Sequence, residues 1–134
     1  MPHTRHVLLV DDDAVMRAVL VRLVARTYTD ATITEATTGA DALSAVAAQR
    51  PDLIISDCHM PVMDGLELVR TLRSQAAVMP IVMLSSEPSV ANAAQQAGAT
   101  AFLTKPLAIG SFSQFLHTLL PSDLETRVLG SDTR

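Results

Sequence analysis

The sequence predicts an open, doubly wound α/β sandwich of five strand–helix units, and three observations carry that prediction. Short apolar runs recur along the chain: "VLLV" (7–10), "ITEA" (33–36), "LIIS" (53–56), "IVML" (81–84) and "AFL" (101–103). All but the second lack the in/out alternation of a strand with one wet face, as expected for a parallel sheet covered on both sides. Stretches of helical period separate the runs, and alternating strands and helices of this length give a βαβ chain.

The helices follow in order. Ala14–Arg26 places Val15, Val19, Arg22 and Arg26 so that an apolar face separates from a basic one. Asp41–Gln49 follows Gly39 and consists almost wholly of good helix formers. Asp64–Arg73 carries Leu66, Val69 and Leu72 at helical spacing. Ser89–Ala97 begins after Pro88 with a serine able to cap it and ends at Gly98, a natural C-cap. Ser111–Leu120 lines up Phe112, Phe115, Leu116 and Leu119 and stops at Pro121. Residues 1–121 therefore read as a single domain. Residues 122–134, "SDLETRVLGSDTR", are polar and too few for another, and read as a tail or linker stub.

Composition excludes several classes. Hydrophobic residues make up 49% of 134, enough for a packed core, but aromatics are only 3%, so Leu, Val, Ile, Met and Ala must build it. No apolar run approaches the ~18 residues of a membrane span, and "MPHTRH" lacks a secretory apolar segment. Cys58 is the only cysteine, so no intrachain disulfide can form and a cytoplasmic setting is expected. A net charge of −4 gives no general electrostatic case for direct nucleic-acid binding. Five glycines include neither G-x-G-x-x-G nor a P-loop.

The chemistry sits where strands stop. "VLLV" ends in Asp11-Asp12-Asp13, "LIIS" in Asp57, "IVML" in Ser85-Ser86 and "AFLT" in Lys105-Pro106. An open parallel sheet gathers these ends on one edge, where ligands bind at the topological switch point. Carboxylates at Asp11, Asp12 and Asp57 repel one another, and a hard divalent cation relieves that repulsion. Mg²⁺ suits one or two carboxylates, several waters and a phosphate oxygen. With Lys105 and a serine hydroxyl beside them, the predicted reaction is Mg²⁺-assisted phosphoryl transfer onto an aspartate.

Four segments, "VLLVDDD", "ISDCHMPVMDG", "IVMLSS" and "FLTKP", together resemble the receiver domain of bacterial two-component response regulators, in order and over residues 6 to about 120. The resemblance implies the flavodoxin-like strand order 2-1-3-4-5. It implies Asp57 as phosphoacceptor, Asp11 and Asp12 as the acidic pair, and Mg²⁺ (or Mn²⁺) held by Asp12, Asp57 and the backbone carbonyl of His59. Ser85 becomes the switch hydroxyl, with Ser86 the small residue after it. Lys105 becomes the phosphate-contacting lysine, followed by a cis Pro106, and Phe102 the switch aromatic. His59 and Glu87, two positions past Asp57 and Ser85, would set phosphoryl lifetime. The donor would be a sensor histidine kinase or histidine phosphotransfer protein, docking near Arg17, Arg22 and Arg26. Movement of Ser85 would let Phe102 turn and shift the face made by the fourth helix, fifth strand and fifth helix toward an output protein.

That face departs from the pattern of salt-bridged dimers. Lys105 is the only formally charged residue between Val90 and Pro121. The outward positions are expected to be Asn92, Gln95, Gln96, Ser111, Ser113, Gln114, His117 and Thr118, all neutral at pH 7, which predicts a weakly salt-sensitive contact. Asp13 is expected to cap the first helix, Cys58 to be packed, and Met60 and Met63 to fill the strand–helix connection. His3, His6 and His117 show no metal-ligand spacing. A free-standing receiver is expected from Met1, with a piece of a DNA-binding regulator or hybrid histidine kinase as the alternative. "VLLVDDDAV" also fits the motif of haloacid-dehalogenase-type phosphatases, with Asp11 as nucleophile and Asp13 as acid/base. Those enzymes need an acidic pair after the lysine, where only Asp123, Glu125 and Asp132 remain.

Overall fold

The computed structural model describes residues 4–120, in which the apolar runs become five parallel strands. These are β1 (His6–Val10), β2 (Thr32–Ala36), β3 (Leu53–Asp57), β4 (Ile81–Ser85) and β5 (Ala101–Thr104), in the order β2-β1-β3-β4-β5. Helices α1 (Ala14–Thr27), α2 (Gly39–Ala48), α3 (Gly65–Ser74), α4 (Ala91–Ala97) and α5 (Ile109–Leu119) alternate with them. The expected tail at 122–134 lies outside the described residues.

Every residue of β1, β3 and β4 is buried, because successive side chains enter two different cores. Leu8, Val10 and Ile54 join Val46, Leu68, Leu72 and Ala94 beneath α2, α3 and α4. Val7, Leu9, Leu53 and Ile55 join Leu20, Val24, Phe112 and Leu116 beneath α1 and α5. β5 is an edge strand and only half-buried at Ala101, Phe102 and Leu103, so its apolar run does not signify full burial.

Local chemistry sets most helix ends. Asp13 caps α1 by accepting from the Val15 and Met16 amides, Thr38 caps α2 and Asp64 caps α3. Because Thr38 is the cap, α2 starts at Gly39 rather than Asp41. Gly98 closes α4 with φ 113°. Two expected starts move. Ser89 does not cap the fourth helix: residues 88–90 form a 3₁₀ turn without a side-chain cap and α4 begins at Ala91. α5 begins at Ile109, before Ser111, also uncapped.

The expected apolar face of the first helix is the wrong one. Val15 and Val19 are exposed, 75% and 44%, while Leu20, Leu23, Val24 and Thr27 are buried against the sheet. On α5, Ser113 and His117 are not outward. The Ser113 hydroxyl is 2.9 Å from that of Thr27, His117 packs edge-on against Tyr28, and the Tyr28 hydroxyl donates to the Leu116 carbonyl at 2.8 Å.

Candidate functional site

Strand register assembles the site. Val10 lies opposite Ser56, Asp57 opposite Leu84 and Ser85 opposite Thr104, so Asp11, Asp57, Ser85 and Lys105 meet at the C-terminal edge. The reversal of strand order falls between β1 and β3, beside Asp11 and Asp57.

The Lys105 ammonium lies 2.7 Å from Asp57 Oδ1 and 3.9 Å from Asp11 Oδ2. The peptide that joins this lysine to Pro106 is cis, as the sequence resemblance implies. Asp57 is 8% exposed by its side chain and Asp11 only 1%, so this pairing is poorly screened. Asp11 Oδ1 accepts the Asp13 amide at 2.9 Å, whereas its buried Oδ2 has no hydrogen-bond partner. Burial pushes the Asp11 carboxyl above its usual value, with the Asp57 and Asp12 charges adding and the Asp13 amide and Lys105 opposing. Asp12 is exposed, and its ligand atom lies with those of Asp11 and Asp57 within a 4.8 Å group. A buried carboxylate oxygen without a hydrogen-bond partner and two further carboxylates form an oxygen-only donor set that fits a hard divalent cation.

The support beneath the acids is backbone packed on backbone. The Gly65 amide donates to the Cys58 carbonyl at 2.8 Å, and a Cβ on Gly65 would stand 2.4 Å from the Asp57 carbonyl oxygen. Cys58 is buried, and its thiol is pushed up to about 11, mainly by that burial. Met60 is buried, and Met63 is half-buried against Gly39.

Ser85 is fully buried at the end of β4. Its Oγ accepts the Glu87 amide at 3.0 Å and lies 3.2 Å from His59 Nε2, which is itself 3.7 Å from Glu87 Oε1. The structure thus brings both residues expected to set lifetime to the Ser85 hydroxyl. Ser86 is exposed, and half-buried Phe102 lines a pocket with Ala91 and Gln95.

Arg17, expected on the docking surface, also braces the site. It pairs with Glu35 at 2.9 Å and donates to the Asp11 carbonyl at 3.0 Å, fastening the loop that carries the acids. Arg22 and Arg26 are exposed, as expected. Arg73 was also unforeseen. Its guanidinium holds the carbonyls of Gly98, Ala77 and Met79 at 2.8–2.9 Å, tying α3 to the end of α4. The sequence signal for both was weak, an arginine on a helix with its partners supplied by distant loops. His6 is a structural residue, 2.8 Å from the Thr34 hydroxyl.

Comparison with known proteins decides the family. The profile of the response regulator receiver domain matches residues 7–117. The chain belongs to the response regulator receiver family. It is 37% identical over 116 residues to the response regulator MprA of Mycobacterium ulcerans, covering 85% of this chain and 49% of MprA. The receiver therefore spans about half the length of the curated relatives it matches. Among solved structures it resembles the chemotaxis protein CheY4 of Vibrio cholerae (TM-score 0.80, 32% identity, 88% of this chain and 100% of that one). It also resembles the receiver domain of the response regulator NarL from Mycobacterium tuberculosis (TM-score 0.79, 28% identity, 87% and 96%). The phosphatase alternative falls with this match, and Asp13 is engaged as a helix cap. No helix among the described residues is long and apolar enough to cross a membrane.

Proposed function

We propose that this receiver accepts a phosphoryl group from a phosphohistidine of a sensor kinase or phosphotransfer protein onto Asp57. The observation that carries the reading is the ion pair of buried Asp57 with Lys105, set beside an Asp11 oxygen that has no hydrogen-bond partner. A carboxylate oxygen of Asp57 attacks phosphorus, the P–N bond breaks, and its electron pair returns to the donor imidazole. Lys105 holds Asp57 in place and meets the charge that develops on the phosphoryl oxygens. Asp12, Asp57 and the His59 carbonyl, with Asp11 beside them, would hold Mg²⁺, which would supply the charge neutralisation an anionic donor needs at an acidic site. Ser85 then turns to the new phosphoryl oxygens, and Phe102 follows into the space it leaves.

The donor docks on α1, where Ala14, Val15, Ala18 and Val19 form an exposed apolar strip flanked by Arg22. A helical donor surface with apolar and acidic residues complements it. The experiment is phosphoryl transfer to Asp57→Asn and Arg22→Glu/Arg26→Glu from a ³²P-labelled kinase core and, separately, from acetyl phosphate. Asp57→Asn should accept from neither donor. The charge reversals should slow transfer from the kinase alone, and equal loss with both donors would refute the docking assignment. The output contact uses the neutral face of α4, β5 and α5 and engages a protein partner rather than nucleic acid or membrane. Since the matched curated relatives are about twice as long, a second reading makes this chain the receiver portion of a longer regulator.

A further inference from the structure

We propose that His59 is a positioning residue whose imidazole latches Ser85 in the resting state, so that switching requires this contact to break. The proposal rests on Asp57 being the phosphoacceptor. A serine hydroxyl has one proton and two lone pairs. In the resting structure one lone pair takes the Glu87 amide at 3.0 Å, closing the turn after β4, and His59 Nε2 occupies a second direction at 3.2 Å. Both contacts aim Oγ at the loops after β3 and β4, and none of its described hydrogen bonds goes to Asp57. Ser85 sits at the end of β4 with no exposed surface while the His59 ring lies against its hydroxyl.

The imidazole is suited to releasing this hydroxyl. His59 belongs to the loop directly after Asp57 and is half-exposed, 52% by its side chain, so its departure opens no cavity. The exposed Glu87 carboxylate stands 3.7 Å from the same ring nitrogen, beside the ring and without burying it. A phosphoryl group on Asp57 offers new acceptor oxygens, and Ser85 reaches them only by giving up His59. The resting population is thus weighted by one hydrogen bond to a buried hydroxyl. Removing it raises the switched-to-resting ratio roughly two- to twelvefold, the range set by the net worth of such a bond.

The test uses the full chain labelled with ¹⁵N. The amide positions of Gly98 and Phe102 are recorded at rest and during titration with Mg²⁺ and beryllofluoride, for wild type, His59→Ala and His59→Phe. The phenylalanine variant keeps the ring and removes the nitrogen, separating the hydrogen bond from packing. Both variants should move at rest along the line toward the saturated wild-type position and reach half-saturation at a correspondingly lower beryllofluoride concentration. In a Ser85→Ala background, adding His59→Ala should produce no further shift. A wild-type response left unchanged in both His59 variants would overturn the latch alone. A wild type that does not respond to Mg²⁺ and beryllofluoride would overturn the phosphoacceptor reading, and the latch with it.

Discussion

Gly65→Ala tests how the acceptor is held. The added Cβ would lie 2.4 Å from the Asp57 carbonyl oxygen, 2.9 Å from Cys58 Cα and 2.7 Å from Met83 Cε. Ordinary contacts fall near 3.5–4 Å, so the shortfall at the carbonyl is about 1 Å. The methionine can rotate away, but the two backbone atoms cannot, since they belong to the last residue of a fully buried strand and the buried residue after it. Overpacking of this kind costs about 1–3 kcal/mol and sometimes more, which alanine's better helix propensity offsets by at most about 1 kcal/mol. A net loss of about 2 kcal/mol follows, or a fall in melting temperature of roughly 5–10 °C for a domain of this size. Because the displaced oxygen is Asp57's own, phosphorylation by acetyl phosphate should also slow by about 10- to 100-fold. Gly110→Ala is the control: nothing lies within 4 Å of its added Cβ, and it sits in the first turn of α5. It should stabilise by up to about 1 kcal/mol. Urea and thermal unfolding followed by circular dichroism measure both variants. Gly65→Ala within about 0.5 kcal/mol of wild type, alongside a normally behaved Gly110→Ala, would refute the close-packing argument.

Three further outcomes follow from the same geometry. Val62 has φ 69° and is fully exposed, and the Met63 amide donates to the Pro61 carbonyl at 2.9 Å across it, making a strained γ-turn. Val62→Gly should raise the urea midpoint by the equivalent of up to about 1 kcal/mol, since relief of positive φ exceeds glycine's entropic cost, and a lowered midpoint would contradict this. Burial holds the folded Asp11 carboxyl above the ordinary aspartate value of 3.8. Its contribution to stability is therefore complete below that value and is lost as pH rises through the folded pKa, because the folded state holds the proton more tightly. Metal-free protein should weaken over that interval, Mg²⁺ should restore stability above it, and Asp11→Asn should remove the fall. An identical profile in the variant would exclude Asp11 as the cause. The His59–Glu87 pair stands at the mouth of the site, so the double alanine variant should admit water and shorten the phosphoryl half-life several-fold by mass spectrometry, an unchanged half-life being the adverse result.

What the sequence disclosed and what it concealed follow from distance along the chain. Strand-end residues were legible because a parallel sheet places every strand's C-terminal end on one edge, whatever the loops do. Asp13 and Gly98 were legible because capping is local. The buried face of α1 was not. Val15, Met16, Val19, Leu20, Val21, Leu23 and Val24 surround that helix with apolar side chains, so attachment to the sheet, not periodicity, selects Leu20, Leu23 and Val24. Ser113 and His117 turn inward because α1 packs on α5, joining residues 86 apart in the Thr27–Ser113 contact. Arg17 finds Glu35 on neighbouring β2, and His59 finds Ser85 only because β3 and β4 are adjacent. Lys105 and Asp57 are 48 positions apart, yet their pairing was foreseeable because both are strand-end residues.

The central claim is that Asp57, in this cluster of acids and lysine, takes up a phosphoryl group. Intact-mass analysis after incubation with acetyl phosphate, with and without Mg²⁺, tests it on wild type and Asp57→Asn. One phosphoryl group gained by wild type only, and only with Mg²⁺, is the predicted result. No gain in wild type with Mg²⁺, or an equal gain in Asp57→Asn, would contradict the account.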